Sequence, residues 1–186
     1  MSRVCVLLLL LLCLVNNLKS QNITDEQGRR QGKWIEYYDD GSVKSTGSYL
    51  DGQPSGVFDF YNEDGALVAR RVFFEDGATC DAEFYFQNGN VSARGRYVDK
   101  QRDGEWRYFD ESSGSLILVE TYKKGILSGK WVSYYLTGEP QFEGEYRDGV
   151  QVGEWRTYSP EGTVISIDKH ENPEYSDPAL NNVMLD

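Results

Sequence analysis

Residues 129–149 have the sequence GKWVSYYLTGEPQFEGEYRDG, in which one tryptophan, three tyrosines and one phenylalanine lie among glycines and charged residues. Nearly the same phrase recurs along the chain, and the glycines of its polar turns are spaced by 24, 24, 25, 24 and 24 residues. Aromatic residues before and after each turn keep the same period, so the chain is an array of about six units. The turn glycines are Gly41, Gly65, Gly89, Gly114, Gly138 and Gly162.

Each unit has the pattern of a β-hairpin. In the first unit, residues 33–38 are rich in strand-forming residues, and the Asp-Asp-Gly sequence of residues 39–41 predicts a turn whose glycine can adopt a positive φ. Residues 42–50 then predict the return strand. One hairpin is too small to bury its own rings, so neighbouring hairpins must stack. The sequence therefore predicts an all-β fold, an elongated, single-layer, antiparallel β-hairpin repeat of about twelve strands.

Glycines inside the strands predict where the rings pack. Gly47, Gly95 and Gly144 each lie two residues before a tyrosine. A strand position without a side chain leaves room for a ring from an adjacent strand to lie over the backbone. A second series, which includes Gly104 and Gly153, lies two residues before a tryptophan or phenylalanine, and we expect the same role for it.

The direction of the rings is a separate question. Trp34 and Tyr37 are three residues apart, and side chains at this spacing point to opposite faces of a regular strand. Either both faces of the sheet carry rings, or a β-bulge brings the two rings to one face. The sequence alone leaves both arrangements open.

The third unit departs from the repeat. Cys80 stands at a glycine position, Ala82 stands at the tryptophan position, and Arg71 replaces a glycine of the preceding return strand. Additional rings, Phe84 and Phe86, follow Ala82. Such an irregularity can be sequence drift, a bend in the array or a binding site.

The first 20 residues have the features of a secretory signal peptide. Arg3 supplies a positive charge, residues 4–15 are an apolar run, and the small Ser20 precedes Gln21. The run is shorter than the roughly 20 residues needed to cross a bilayer. We therefore expect an exported protein that is periplasmic, attached to the cell surface or secreted. The predicted division is 1–20 signal peptide, 21–27 short linker, 28–170 repeat domain and 171–186 C-terminal cap or loose tail.

Charge limits the possible partners. Without Arg3 and Lys19 the chain has 17 basic residues against 30 acidic ones, a net charge of −13. An acidic surface repels phosphate backbones and anionic lipid headgroups, so we expect no nucleic-acid partner and disfavour lipid binding. It favours a basic protein partner.

The chemistry-bearing residues are few and scattered. His170 is the only histidine, and Cys80 is the only cysteine beyond residue 20, so no intramolecular disulfide is expected there. We expect Cys80 to be a small buried side chain, with a reactive thiol as the alternative. Carboxylate pairs such as Asp39-Asp40 lie at turn tips and lack the spacing of a calcium loop. The sequence predicts no catalytic residues, no metal site and no cofactor, and hence no enzyme.

The phrase Gly-x-Tyr-x-x-Gly-x-x-x-Gly-x-Trp-x-x-Tyr-x-x-x-Gly is intact from Gly144 to Gly162. It resembles the MORN repeat, and more closely the variant MORN repeat of bacterial proteins, many of which are described as YwqK family antitoxins. The resemblance covers Gly28 to about Ser166. It implies a ladder of hairpins that serves as a binding or scaffolding surface and has no catalytic residues of its own.

Two functions follow as expectations. The first is an exported, non-enzymatic repeat protein that binds or scaffolds a protein partner, with an antitoxin-like role as a special case implied by the resemblance. The alternative is a cell-surface module that binds a glycan or choline through exposed aromatic residues. The candidate partner-binding residues are rings outside the packing series, namely Tyr135, Phe142, Phe84, Phe86 and Phe74.

Overall fold

The computed structural model describes residues 21–171, so the predictions made for residues 1–20 and 172–186 lie outside the described part. The described residues form β-strands joined by turns and contain no helix that could cross a membrane. They divide into two compact units, of which the first ends at Gly89 and the second begins at Asn90.

Both units are built from antiparallel strands that pair with their neighbours in chain order, except that one two-residue strand of the first unit pairs only with the strand before it. This confirms the predicted all-β hairpin fold. In the first unit the strands are β1 (Ile23–Thr24), β2 (Arg30–Tyr37), β3 (Val43–Leu50), β4 (Gln53–Pro54), β5 (Gly56–Tyr61), β6 (Leu67–Phe73) and β7 (Thr79–Tyr85). In the second they are β8 (Val91–Val98), β9 (Gln101–Phe109), β10 (Leu116–Lys123), β11 (Ile126–Tyr134), β12 (Pro140–Arg147), β13 (Val150–Tyr158) and β14 (Val164–His170).

The segment predicted as a linker, residues 21–27, contains the short strand β1, which pairs with β2. The side-chain amide of Asn22 extends this pairing, because its Nδ2 donates to the Ile35 carbonyl at 2.8 Å and its Oδ1 accepts from the Ile35 N–H at 2.7 Å. A side chain thus replaces a peptide group at the outer edge of β2. The repeat pattern did not predict this strand, because the segment lacks the 24-residue period.

The turns form as the sequence predicts. Gly41 has a φ of 88°, and its N–H donates to the Tyr38 carbonyl at 3.0 Å. The Asp40 carboxylate accepts hydrogen bonds from the Ser42 hydroxyl and backbone N–H, which lower the pKa of Asp40. Glycine is needed at the turn because other residues rarely adopt a positive φ.

A β-bulge recurs near the turn of the hairpins. Glu36 pairs with Ser45 but Tyr37 pairs with Val43, so Lys44 is an extra residue on the return strand. The same register shift occurs in five hairpins, and a bulge at a fixed position increases the local twist in the same way each time. The equivalents of Lys44 are Val68, Ile117, Gln141 and Ile165.

Both faces of the sheet carry rings, which settles the question that the sequence left open. The Trp155 ring lies over Gly144, whereas the Tyr158 hydroxyl donates to the carboxylate of Glu143. Glu143 and Gly144 are consecutive in one strand, so their side-chain positions point to opposite faces. We define a tryptophan face for each unit separately: in the first unit it is the side that carries Trp34 and Phe58, and in the second it is the side that carries Trp106, Trp131 and Trp155.

The glycines that precede a tyrosine provide space for a ring, as predicted. A Cβ atom built on Gly47 would lie 2.3 Å from the Phe58 ring. The corresponding distances are 2.4 Å from the Trp106 ring for Gly95 and 2.2 Å from the Trp155 ring for Gly144. Each ring therefore packs directly on the backbone of the preceding strand.

The prediction for the second glycine series is wrong. A Cβ atom on Gly104 or Gly153 would have no atom within 4 Å, and their φ values are 72° and 69°. Gly104 lies in an irregularity where β9 has three residues, 104–106, opposite the single residue Gly95 of β8. Glycine is required at these positions because other residues rarely adopt a positive φ. No ring of residues 21–171 packs on either glycine.

The third unit keeps its packing by exchanging a large and a small residue between strands. Arg71 takes the place of the glycine, and its register partner on β7 is Ala82 in place of the tryptophan. The Arg71 guanidinium lies 5.3 Å from the centroid of the Phe60 ring, and Ala82 is buried. A large residue thus stands opposite a small one in this unit, with the two sizes reversed relative to the other hairpins.

Candidate functional site

The tryptophan face of the second unit contains a fully enclosed ring. One side of Trp106 packs on Gly95, and the guanidinium of Arg102 lies over the ring at 4.5 Å from its centroid. The Trp106 indole N–H donates to the Arg96 carbonyl at 3.1 Å, and Tyr97 meets the ring edge-on at 5.0 Å. As a result Trp106 has 0% of its surface exposed.

A hydrogen-bonded cluster holds Arg102 in this position. Its Nη1 donates to the hydroxyls of Tyr108 and Tyr122, at 2.8 and 3.0 Å. Both hydroxyls donate in turn to Oε2 of Glu120, at 2.8 and 2.7 Å. Burial, together with the hydrogen bond to Glu120, raises the pKa of Tyr108, so this phenol stays neutral and acts as a donor. The cluster joins a cation to a carboxylate through two tyrosines and positions a planar guanidinium.

The first unit contains a related contact between an arginine and a tryptophan on its own tryptophan face. The Arg30 guanidinium lies 4.8 Å from the centroid of Trp34 and 5.0 Å from that of Tyr49. Arg30 donates to the Tyr49 hydroxyl at 2.8 Å, and its Nη1 is 3.4 Å from a carboxylate oxygen of Glu36. In both units the arginine stands four residues before the tryptophan, a spacing that was readable in the sequence but was not recognised there.

Two other tryptophans of the second unit have no such arginine. Leu127 and Gln151 stand four residues before Trp131 and Trp155. The two rings contact each other at 5.5 Å between centroids, tilted by 37°. Both are half-buried, in contrast to the enclosed Trp106 of the same unit. We call Trp131 and Trp155 the tryptophan pair.

Of the rings predicted as partner-binding residues in the second unit, one is exposed and one is half-buried. Phe142 is 39% exposed, and its register partners Ser133 and Thr157 place it on the tryptophan face. Tyr135 is half-buried, and its hydroxyl donates to the Tyr158 carbonyl at 2.8 Å. Tyr38 makes the equivalent bond to the Tyr61 carbonyl in the first unit, so this tyrosine belongs to the repeat.

The other three candidates lie in the first unit, around the hairpin of β6 and β7. Phe84 is half-buried and pairs in register with the buried Ala69, so a ring on one strand faces a small residue on the next. Phe86 follows β7 and is half-buried, whereas Phe74 lies at the turn end of the hairpin and is 44% exposed. The structure therefore does not bring Phe74 together with Phe84 and Phe86.

Shallow grooves on the described residues include one in each unit. One, of about 380 Å³, lies in the second unit along Glu143, Glu145, Val152 and Glu154, with Lys130 and Arg156 beside them. Arg156 contacts Glu143 at 3.6 Å and Glu154 at 2.6 Å, so much of this charge is paired within the chain. The other, of about 340 Å³, lies at a turn of the first unit beside Tyr37, Tyr38, Asp39, Asp40, Lys44 and Glu63. Within residues 21–171 no group of three or more His, Cys, Asp or Glu side chains could hold a metal ion.

The thiol of Cys80 lies in the core of the first unit. Cys80 is 2% exposed, and burial raises the pKa of its thiol. We expect the native protein to react with iodoacetamide at pH 8 at less than about a hundredth of the rate of the protein in urea, because the reactive species is the thiolate. Mass spectrometry of the alkylated chain measures both rates, and equal rates would contradict the buried position.

Comparison with known proteins identifies the repeat. The model of the MORN repeat variant family matches residues 30–51 and 127–148, one match in each unit. The first spans β2 and β3, and the second spans β11 and β12. No curated protein matches the sequence. An alignment with a solved structure described as "Crystal Structure of TarM" has 10% sequence identity and covers 77% of this chain and 24% of that chain. Its TM-score of 0.29 is too low to indicate a shared fold or function.

Proposed function

We propose that this chain, which carries MORN variant repeats, is an exported, non-enzymatic protein that binds a basic protein partner through the tryptophan face of its second unit. The tryptophan pair is the observation that carries the proposal. Trp131 and Trp155 are half-buried, whereas Trp106, at the equivalent position of another repeat in the same unit, is fully enclosed. Partly exposed tryptophans are over-represented at protein interfaces and often dominate their binding energy.

Two further features support a protein partner. Phe142 adds an exposed ring to the same face. The chain beyond residue 20 has 30 acidic and 17 basic residues, and complementary charge accelerates association and disfavours acidic partners. An antitoxin-like role, in which the partner is a toxin, is a narrower form of this proposal.

The test is capture of a partner from the exported fraction of the source cells, with the full chain as bait. We expect one stoichiometric basic protein, released as ionic strength rises. Phe142→Ala should reduce the captured amount about tenfold, since a central aromatic contact is worth about 1–2 kcal/mol. Leu136→Ala is the matched control, because Leu136 is 61% exposed but lies in the turn beyond β11.

Retention of the bait by cell-wall polymer without a protein partner would favour the glycan-binding alternative and contradict the proposal. Equal capture by Phe142→Ala and the unchanged chain would place the partner on another surface.

A further inference from the structure

We propose that the outer side of the Trp155 ring binds an arginine side chain of the partner, in the position that Arg102 occupies over Trp106. The inference rests on the proposed function and specifies the group of the partner that is recognised. Its basis is a comparison between hairpins of the same chain, because equivalent positions in a repeat share their geometry.

The rings of Trp106 and Trp155 have equivalent surroundings on the inner side. Each packs on a glycine of the preceding strand, where a Cβ atom would lie 2.4 or 2.2 Å from the ring. Each is also met edge-on by a tyrosine, Tyr97 at 5.0 Å and Tyr146 at 5.2 Å between centroids. Trp155 also contacts the Trp131 ring at 5.5 Å between centroids, a contact that Trp106 does not make with another tryptophan of residues 21–171. On the outer side, the two tryptophans differ in the residue that stands four positions earlier.

On that outer side, Gln151 stands where Arg102 stands in the other hairpin. The Gln151 amide is 3.5 Å from the Tyr146 hydroxyl, and His170 meets the Trp155 ring edge-on at 6.2 Å between centroids. No lysine or arginine of residues 21–171 stacks on this ring in the way that Arg102 stacks on Trp106. Trp155 remains half-buried where Trp106 is 0% exposed. Its buried indole N–H also has no hydrogen-bond acceptor in this part of the chain, whereas that of Trp106 has one.

A carboxylate is placed beside both rings. Glu120 is the register partner of Trp106, and Asp168 is the register partner of Trp155. Glu120 is occupied by the hydroxyls of Tyr108 and Tyr122, whereas Asp168 is exposed. A cation that binds over Trp155 would therefore lie near a carboxylate at the same strand position as Glu120 in the hairpin of Trp106.

The chain's own example favours arginine over other cations. Arg102 stacks on Trp106 and at the same time donates hydrogen bonds to the tyrosine hydroxyls. A planar guanidinium can do both, whereas a quaternary ammonium such as choline has no N–H to donate. Arg30 repeats this double contact with Trp34 and Tyr49 in the first unit.

The hydroxyls beside Trp155 differ from those around Arg102. Thr157 and His170 stand at the positions of the two tyrosines that hold Arg102. Tyr146 meets the Trp155 ring edge-on, so its hydroxyl is the tyrosine hydroxyl available to an arginine over that ring.

The experiment titrates the ¹⁵N-labelled full chain with the peptide acetyl-Gly-Arg-Gly-amide and follows the four tryptophan indole N–H signals by NMR. Trp155→Phe assigns the Trp155 signal, and acetyl-Gly-Gln-Gly-amide is the neutral control peptide. We expect the arginine peptide to shift the Trp155 signal while the signals of Trp34 and Trp106 stay unchanged. Asp168→Asn should weaken the binding roughly two- to fivefold, as expected for one exposed charge pair.

Gln151→Arg is the decisive variant, because it supplies the guanidinium from within the chain. We expect it to lose at least about nine-tenths of the response to the arginine peptide. Gln151→Met, with a side chain of similar length and no charge, should keep the response. The inference would be overturned if the Trp155 signal did not shift with the arginine peptide, or if choline chloride shifted it equally. It would also be overturned if Gln151→Arg and Gln151→Met bound the arginine peptide equally.

The same variants separate this inference from the proposed function. If Gln151→Arg still captures the basic partner as well as Gln151→Met does, the partner binds without the arginine contact, and only the inference fails. If the arginine peptide binds at Trp155 but the full chain captures no protein partner, the site exists and the proposed function fails.

Discussion

Replacing Trp106 with alanine is expected to lower the free energy of unfolding by about 3–5 kcal/mol, the usual loss for a large buried ring. Trp106 is fully buried between the Gly95 backbone and the Arg102 guanidinium. Its removal leaves a cavity and also takes the stacking surface from Arg102. Urea denaturation followed by circular dichroism measures the change.

Trp34→Ala is the matched control, because Trp34 has the same arginine contact but is half-buried at β2. We expect it to cost clearly less than Trp106→Ala, since it removes less surface from the interior. Equal losses, or a loss below about 1 kcal/mol for Trp106→Ala, would show that the enclosed ring is not a main source of stability.

Gly95→Ala is expected to destabilise the protein by about 1–3 kcal/mol although it adds a single methyl group. The backbone at Gly95 is one that any residue can adopt, since it does not have a positive φ. The cost comes from space, because the new Cβ would lie 2.4 Å from a ring that cannot move outward past Arg102. Lys123→Ala, at an exposed end of β10, is the control and should change stability by less than about 0.5 kcal/mol.

A double-mutant cycle identifies the cause of the loss. In the variant that combines Gly95→Ala with Trp106→Ala, the overlap cannot occur, so the combined loss should be smaller than the sum of the two single losses. Additive losses would mean that Gly95 acts through the conformation of the chain instead. The pair Arg71 and Ala82 has this combination naturally, a larger residue at the glycine position opposite a small residue at the tryptophan position.

The sequence predicted those parts of the fold that repeat. Turn glycines such as Gly41 are recognisable because few other residues adopt a positive φ, and their spacing gave the hairpins. Gly47, Gly95 and Gly144 correctly indicated where rings pack on backbone. Gly104 was misinterpreted, because a glycine required for its φ and a glycine required for its size look the same in a sequence.

The parts that do not repeat could not be predicted in the same way. Tyr108 and Glu120 form the cluster around Arg102, but no equivalent residues occur in the neighbouring hairpins, so their contact is visible only in the structure. Among the candidate rings, Phe84 faces the small Ala69, and a single sequence does not show such compensation across strands. The hydroxyl of Tyr135 donates to a backbone carbonyl of the next hairpin, and the spacing of aromatic residues in the sequence does not predict this hydrogen bond.

The packing of rings on glycines has a fixed direction along the chain. Phe58, Trp106 and Trp155 each lie eleven residues after the glycine that they cover, and the glycine always belongs to the earlier strand. During synthesis the glycine-containing strand therefore leaves the ribosome before the ring that covers it. The contact between each ring and its glycine can therefore form in the order of synthesis, because the covered strand has already been made.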